Sequence, residues 1–175
     1  MKVLVIVDMQ NDFIDGALAN QKGKEVTENV IKEIGKDYDY YALTRDSHES
    51  NYLNTLEGKN LPVEHCIINS NGWQLNKGVE EAVKKTNKTY KIFDKNGFGS
   101  YELTDELEGF KDTIESISVV GLCTDICVIT NALMLRAKFP NIPMYYVEDA
   151  MFGLSSENQA SAIRVLEACQ IYKKK

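Results

Sequence analysis

The 175 residues are 43% hydrophobic and 26% charged, the make-up of a soluble globular protein, and residues 1–175 read as a single domain around one core. A formal net charge of −6 with no basic stripe argues against a nucleic-acid surface. Met1 to Val7 is too short, and too soon followed by Asp8, for a signal peptide, and no apolar run approaches a membrane span; a cytoplasmic location is expected. In that setting the four cysteines read as free thiols, and without a CxxC pair they do not suggest a structural zinc site of the finger type. Lys173, Lys174 and Lys175 read as a solvated tail.

Along the chain, Lys2 to Val7 is a continuous β-branched and aliphatic run, the pattern of a strand buried on both faces. Val26, Val30, Ile31 and Ile34 recur at helical spacing over Lys24 to Ile34, with Gly35 as C-cap. Strands are predicted over Tyr38–Thr44, Thr89–Phe93, Ser116–Val120 and Pro143–Val147, with an edge strand over Gln170–Tyr172. Between them lie a short helix over Val79–Lys85, one capped by Ser100 and running to Leu107, and one capped by Thr124 and running to Lys138. A last helix, behind a capping-box pattern of Ser156 and Gln159, ends at Ala168. This alternation predicts a three-layer α/β/α fold with a mainly parallel central sheet. The least regular stretch, Asp46 to Asn76, holds both histidines, and a loop of that length in a compact domain is usually functional.

Asp8, Asp46, Lys95 and Cys127 each follow a strand-like run, and open α/β sheets bind ligands beyond the carboxyl ends of their strands. An acid, a metal-ligand type, a base and a thiol are the parts needed for covalent amide hydrolysis. In Gly121-Leu-Cys-Thr-Asp-Ile-Cys127, a strand-to-helix junction places Cys127 in the first helical turn, where free N–H groups and the helix dipole favour a thiolate and can hold an oxyanion. Taken singly, each has a plainer reading: Cys123 and Cys127 as small core residues, Asp8 as a turn cap, Lys95 as an exposed lysine. Cys66 and Cys169 have no such context. Gln10, Asn11 and Asp12 suit turn geometry, and Gln10 is placed to bond the neighbouring loop. Asp46-Ser-His48 offers donors that suit Zn²⁺, Mn²⁺ or Fe²⁺; His65 lies later in the same loop, with Glu57 and Glu64 as candidate further donors. Phe13, Trp73 and Phe98, on three loops near these residues, are either core or the two sides of a slot for a flat ring.

Three of these segments, in order, resemble the isochorismatase-like cysteine hydrolases, the superfamily that includes the nicotinamidases (pyrazinamidases). They are Val5-Ile-Val-Asp8-Met-Gln-Asn-Asp-Phe13, Ile92-Phe-Asp-Lys95-Asn-Gly-Phe-Gly-Ser-Tyr-Glu-Leu and the Cys127 segment. The resemblance implies a Cys127, Asp8 and Lys95 triad, a non-proline cis peptide at Leu122-Cys123, and an oxyanion site on the amides of Cys123 and Cys127. It also implies a divalent metal, zinc first, on Asp46, His48, Glu57 and His65, ring stacking on Phe13, and a homo-oligomer. The chain departs from many nicotinamidases in having no third histidine and in reading Ile-Ile-Asn-Ser after His65-Cys66, where a Gly-rich turn is usual. The activity implied is hydrolysis of nicotinamide to nicotinate and ammonia. The alternatives are a ureido or carbamoyl substrate on the same machinery, or a non-catalytic metal-binding protein.

Overall fold

The computed structural model describes residues 1–175. Six strands form one sheet: β1 (Lys2–Val7), β2 (Tyr40–Asp46), β3 (Thr89–Lys95), β4 (Ser116–Leu122), β5 (Met144–Phe152) and β6 (Ile171–Lys173). Their spatial order is β3-β2-β1-β4-β5-β6, and every neighbouring pair is parallel. The apolar run of β1 serves both faces, as its lack of alternation predicts. Val3, Val5 and Val7 pack with Leu103 and Leu107 of α5 (Tyr101–Glu108), Ala132 and Leu135 of α6 (Ile129–Lys138) and Leu166 of α7 (Ser156–Ala168). Leu4 and Ile6 pack with Val26, Val30 and Ile34 of α2 (Gly23–Ile34) and Val79 and Val83 of α4 (Lys77–Lys85). Two core layers on either side of one parallel sheet are the three-layer arrangement.

Two short helices, α1 (Asn11–Ile14) and α3 (Leu56–Asn60), complete the set. No helix is long and apolar enough to cross a membrane. The predicted elements recur with shifted ends. β2 starts and ends two residues later than predicted, β3 continues to Lys95, and β5 continues to Phe152 past a register shift against β4.

Two caps fall one residue earlier than predicted. Thr124 does not cap: Cys123 has the extended backbone of a cap residue, and its carbonyl receives the N–H of both Ile126 and Val128 at 3.1 Å. Thr124 therefore already lies within the helical path, a π-type turn over Thr124–Val128 that leads into α6, and its buried hydroxyl has no hydrogen-bond partner. Likewise Ser155, not Ser156, caps α7, accepting the Asn158 N–H at 3.1 Å. The Asp125 carboxylate accepts the Leu154 N–H at 3.1 Å and the Asn158 side-chain amide at 2.7 Å, which sets the start of that helix.

The C-terminal tail is exposed at Lys173 and Lys175, as predicted, but Lys174 is partly buried. Lys173 belongs to β6 and pairs with Glu148. Lys174 reaches the buried Glu33 at 2.9 Å, contacts the Tyr38 hydroxyl and lies 4.1 Å above the Tyr38 ring. A buried carboxylate and a phenol on α2 and its following turn supply what the lysine run alone could not reveal.

Candidate active site

The strand order reverses direction at β1 and β4, so a crevice opens beyond their carboxyl ends. Four strand ends converge there. Asp8 follows β1, Asp46 and Lys95 are the last residues of β2 and β3, and Cys127 stands in the turn after β4. Asp8 adopts φ 47°, a left-handed conformation uncommon for a non-glycine residue. It is held there because its N–H donates to the Thr44 carbonyl (3.2 Å) and hydroxyl (3.3 Å), while that hydroxyl donates to Asp8 Oδ1 at 2.7 Å. Opposite, Gly121 has φ 119°, and a Cβ on it would lie 2.1 Å from the Val7 carbonyl oxygen; only glycine lets β4 come this close to β1 just before Asp8.

Lys95 is central. Its Nζ lies 2.7 Å from Asp8 Oδ2, 3.7 Å from Cys127 Sγ and 3.5 Å from Asp46 Oδ1. Burial opposes its charge, but Asp8, then Cys127 and Asp46, outweigh burial and push its pKa upward. Burial, joined by the charge of Asp46, raises the Asp8 carboxyl above its ordinary value against the pull of Lys95 and Thr44. The Cys127 thiol is pushed up by burial and by Asp8, with Lys95 acting in the opposite direction. The helix terminus and Lys95 favour a thiolate, while burial and Asp8 oppose it and raise the thiol pKa; beside it burial raises the Asp8 carboxyl too, so thiol and carboxyl form a pair able to exchange a proton.

The Leu122–Cys123 peptide is cis. The Cys123 N–H donates to no backbone or side-chain acceptor of the chain, which leaves it free to serve a ligand beside Cys127.

Asp46, His48, Glu57 and His65 come together, with one donor atom from each lying within 4.8 Å of the others. His48 Nε2 is 3.0 Å from Asp46 Oδ2 and 3.7 Å from Glu57 Oε1; His65 Nε2 is 3.5 and 3.8 Å from the same two oxygens. A tetrahedral shell with bonds of about 2.1 Å has edges of roughly 3.4 Å, so these spacings fit a divalent cation such as zinc. The chemistry fits as well. His65 Nδ1–H donates to the Val63 carbonyl at 2.8 Å, which leaves the Nε2 lone pair facing the cluster. Burial opposes ionisation of Asp46, but His48, His65 and Lys95 hold its carboxyl well below the usual carboxylate range. Glu64 is exposed and outside the group. Gln10, fully buried, fixes this cluster to the acid segment. Its side-chain N–H groups donate to the carbonyls of Asp46 (2.8 Å) and Trp73 (2.9 Å), and its oxygen accepts the Asp46 N–H at 2.7 Å.

A cavity of about 400 Å³ connects the two centres. Its wall includes Phe13, Phe98, Cys123, Cys127, Asp46, Glu57 and His65. That volume and mostly apolar lining suit a small molecule held by a few polar groups. Trp73 is not in the wall. Its ring is stacked under the Arg45 guanidinium at 3.5 Å and its indole N–H donates to Ser47 Oγ at 2.7 Å, so it buttresses the segment between Asp46 and His48. Sequence reasoning missed Thr44, which no motif marks, and the small and aliphatic wall residues Ala17, Leu18, Ala19, Leu61, Ile126 and Leu154.

The Isochorismatase domain family model matches residues 2–172. The chain is 28% identical over 177 residues to the nicotinamidase of Saccharomyces cerevisiae, across 76% of this chain and 80% of the relative. It is 29% identical over 171 residues to an isochorismatase family protein, PncA, of Bacillus subtilis, across 93% and 92%. Among solved structures it resembles the pyrazinamidase/nicotinamidase of Streptococcus mutans, with TM-score 0.85 at 22% identity over 99% of this chain and 100% of that one. The pyrazinamidase of Pyrococcus horikoshii in complex with zinc gives TM-score 0.78 at 24% identity over 99% and 98%. With a family match that spans nearly its whole length, the chain belongs to the isochorismatase domain family.

Proposed function

We propose that this protein is an amidohydrolase that converts nicotinamide to nicotinate and ammonia through a thioester on Cys127. The observation that carries this reading is the contact of Lys95 with Asp8, Cys127 and Asp46 at once, which joins a thiol–carboxylate pair to a four-donor metal cluster across one small cavity. The curated relatives named for nicotinamide hydrolysis support the substrate.

In this reading the pyridine ring lies between Phe13 and Phe98, with its carboxamide toward Cys127. Asp8 takes the thiol proton and Sγ attacks the amide carbon, while the Lys95 charge offsets the new anion. The oxyanion rests on the Cys123 and Cys127 amides. Asp8 returns the proton to the amide nitrogen, the C–N bond breaks and ammonia leaves, with the acyl group on sulfur. Asp8 then takes a proton from water as it attacks the thioester; the C–S bond breaks, nicotinate departs and Sγ regains its proton. Asp46, His48, Glu57 and His65 would hold the divalent cation, zinc in this reading, which as a Lewis acid supplies an anchor for the ring nitrogen. Four free cysteines suit a cytoplasmic setting, and a homo-oligomer belongs to the same reading.

The test is ammonia release from nicotinamide by metal-loaded protein, repeated after chelation and with Cys127→Ala. The expected outcome is turnover that chelation abolishes and that the substitution lowers on the order of 10⁴-fold or more. No release by metal-loaded wild type rejects nicotinamide. Release of ammonia or carbamate from ureido or carbamoyl compounds instead moves the substrate without moving the machinery.

A further inference from the structure

Phe98 is half exposed and sits on a loop, Asn96–Ser100, that contains Gly97 and Gly99. Two glycines give such a loop wide conformational freedom, so something outside it must set where the Phe98 ring stands. That something is Asn131, one helical turn beyond the nucleophile and only 1% exposed. Its Oδ1 accepts the Ser100 N–H at 3.0 Å and its Nδ2 donates to the Phe98 carbonyl at 3.0 Å, so one side-chain amide grips the backbone on both sides of Gly99. The second hydrogen of Nδ2 goes to the Cys127 carbonyl at 2.8 Å. Gly99 itself lies flat on α6; a Cβ there would stand 2.2 Å from Met134 Sδ and 3.0 Å from Thr130 Cγ2. Asn131 thus uses both of its donors and one acceptor lone pair on two segments that meet only in the folded protein.

We infer that Asn131 is a positioning residue that holds the aromatic wall of the cavity at a set distance from the Cys127 thiol, and so selects for a flat ring on the acyl group. This deepens the proposed amidohydrolase reading and rests on it for the identity of the ring, though its test does not need nicotinamide. A satisfied core asparagine with no such role would affect stability alone.

The experiment is site-resolved alkylation of Cys127 in the full-length protein, read by mass spectrometry, with iodoacetamide and with its N-phenyl analogue. Wild type is compared with Asn131→Ala, Phe98→Ala and the double variant. The rate ratio, aromatic over small probe, is expected to fall roughly fivefold in each single variant and no further in the double, because both act through one wall. A wild-type ratio near one, an unchanged ratio in Asn131→Ala, or losses that add in the double variant would each overturn the inference. Should Asn131→Ala not fold, Gly99→Ala carries the test: it lifts the loop off the Asn131 amide while leaving the Asn131 and Cys127 side chains unchanged, and must lower the ratio in the same way. Ammonia release by wild type is scored separately, so absent turnover with the ratio pattern intact rejects nicotinamide and keeps Asn131.

Discussion

Asp8 has two tasks with opposite demands. It must be ionised to take the thiol proton, and basic enough to do so. Burial serves the second by raising its pKa, and Lys95 with the Thr44 hydroxyl restrains the rise. The sign for activity follows. The working form is the carboxylate, so kcat/KM falls as pH drops through the folded pKa of Asp8, which lies above the ordinary value near 4. The acid limb of the pH profile is therefore expected above about pH 4. Thr44→Val is nearly isosteric and removes a hydrogen bond that lowers this pKa, so it is expected to move the limb further up. A limb that stays put or moves down in the variant contradicts the role assigned to Thr44.

Among the elements, the β1–β4 pair decides whether the site exists. Asp8 leaves β1 in a left-handed conformation just beyond the point where Gly121 crosses closely over Val7. The neighbour of a Cβ at 121 is backbone, which cannot swing aside, and φ 119° strains any other residue. Gly121→Ala is expected to cost about 3 kcal/mol of stability, read by urea denaturation, because strained φ and overpacking add. Loss of less than about 1 kcal/mol would mean that the two strands part more easily than their packing suggests. The π-type turn over Thr124–Val128 belongs to the same junction, and such turns recur at functional sites.

For the molecule as a whole, two clusters tie distant parts of the chain together. The first is the metal-ligand group, which draws Glu57 and His65 of the long loop onto the end of β2. Burial and the Asp46 charge raise the Glu57 carboxyl, a repulsion that a divalent cation relieves. A cation at a hundred times its Kd adds about 2.7 kcal/mol. Chelation is expected to lower Tm and zinc to restore it; an unchanged Tm would deny the cluster a binding role. The second is the C-terminal latch of Lys174 on Glu33 and Tyr38. Burial opposes ionisation of Glu33, yet hydrogen bonds from Lys36, Tyr38 and Lys174 lower its pKa. A lowered carboxyl contributes stability present above its unfolded value near 4.5 and lost as pH falls through the folded value. Lys174→Ala is thus expected to cost about 1–2 kcal/mol at neutral pH, and progressively less on acidification below pH 4.5. A cost independent of pH would trace instead to packing of the lysine stem on the Tyr38 ring.

Asp8, Asp46, Lys95 and Cys127 were legible in the chain because a parallel strand is a continuous apolar run, and the polar residue that breaks it marks the end where ligands bind. The three-layer fold was legible for the same reason, since alternation of strand and helix is written in local periodicity. Glu57 stood out only through family resemblance, because a glutamate in an irregular loop has no local signature. Other features depended on partners remote in sequence. Trp73 reads as core or wall until Arg45 is seen lying over it. Lys174 reads as solvated until Glu33 and Tyr38 are found beneath it. The contacts of Thr44 and Asn131 and the upward shift of the Cys127 thiol arise from hydrogen bonds and burial between segments 30 or more residues apart, such as Asn131 with Ser100 (31 residues) and Thr44 with Asp8 (36 residues). Local pattern sets where strands end, because strand geometry repeats every two residues. Only packing sets which of those ends meet, how dry the meeting place is and which proton stays, because desolvation and charge act through space rather than along the chain.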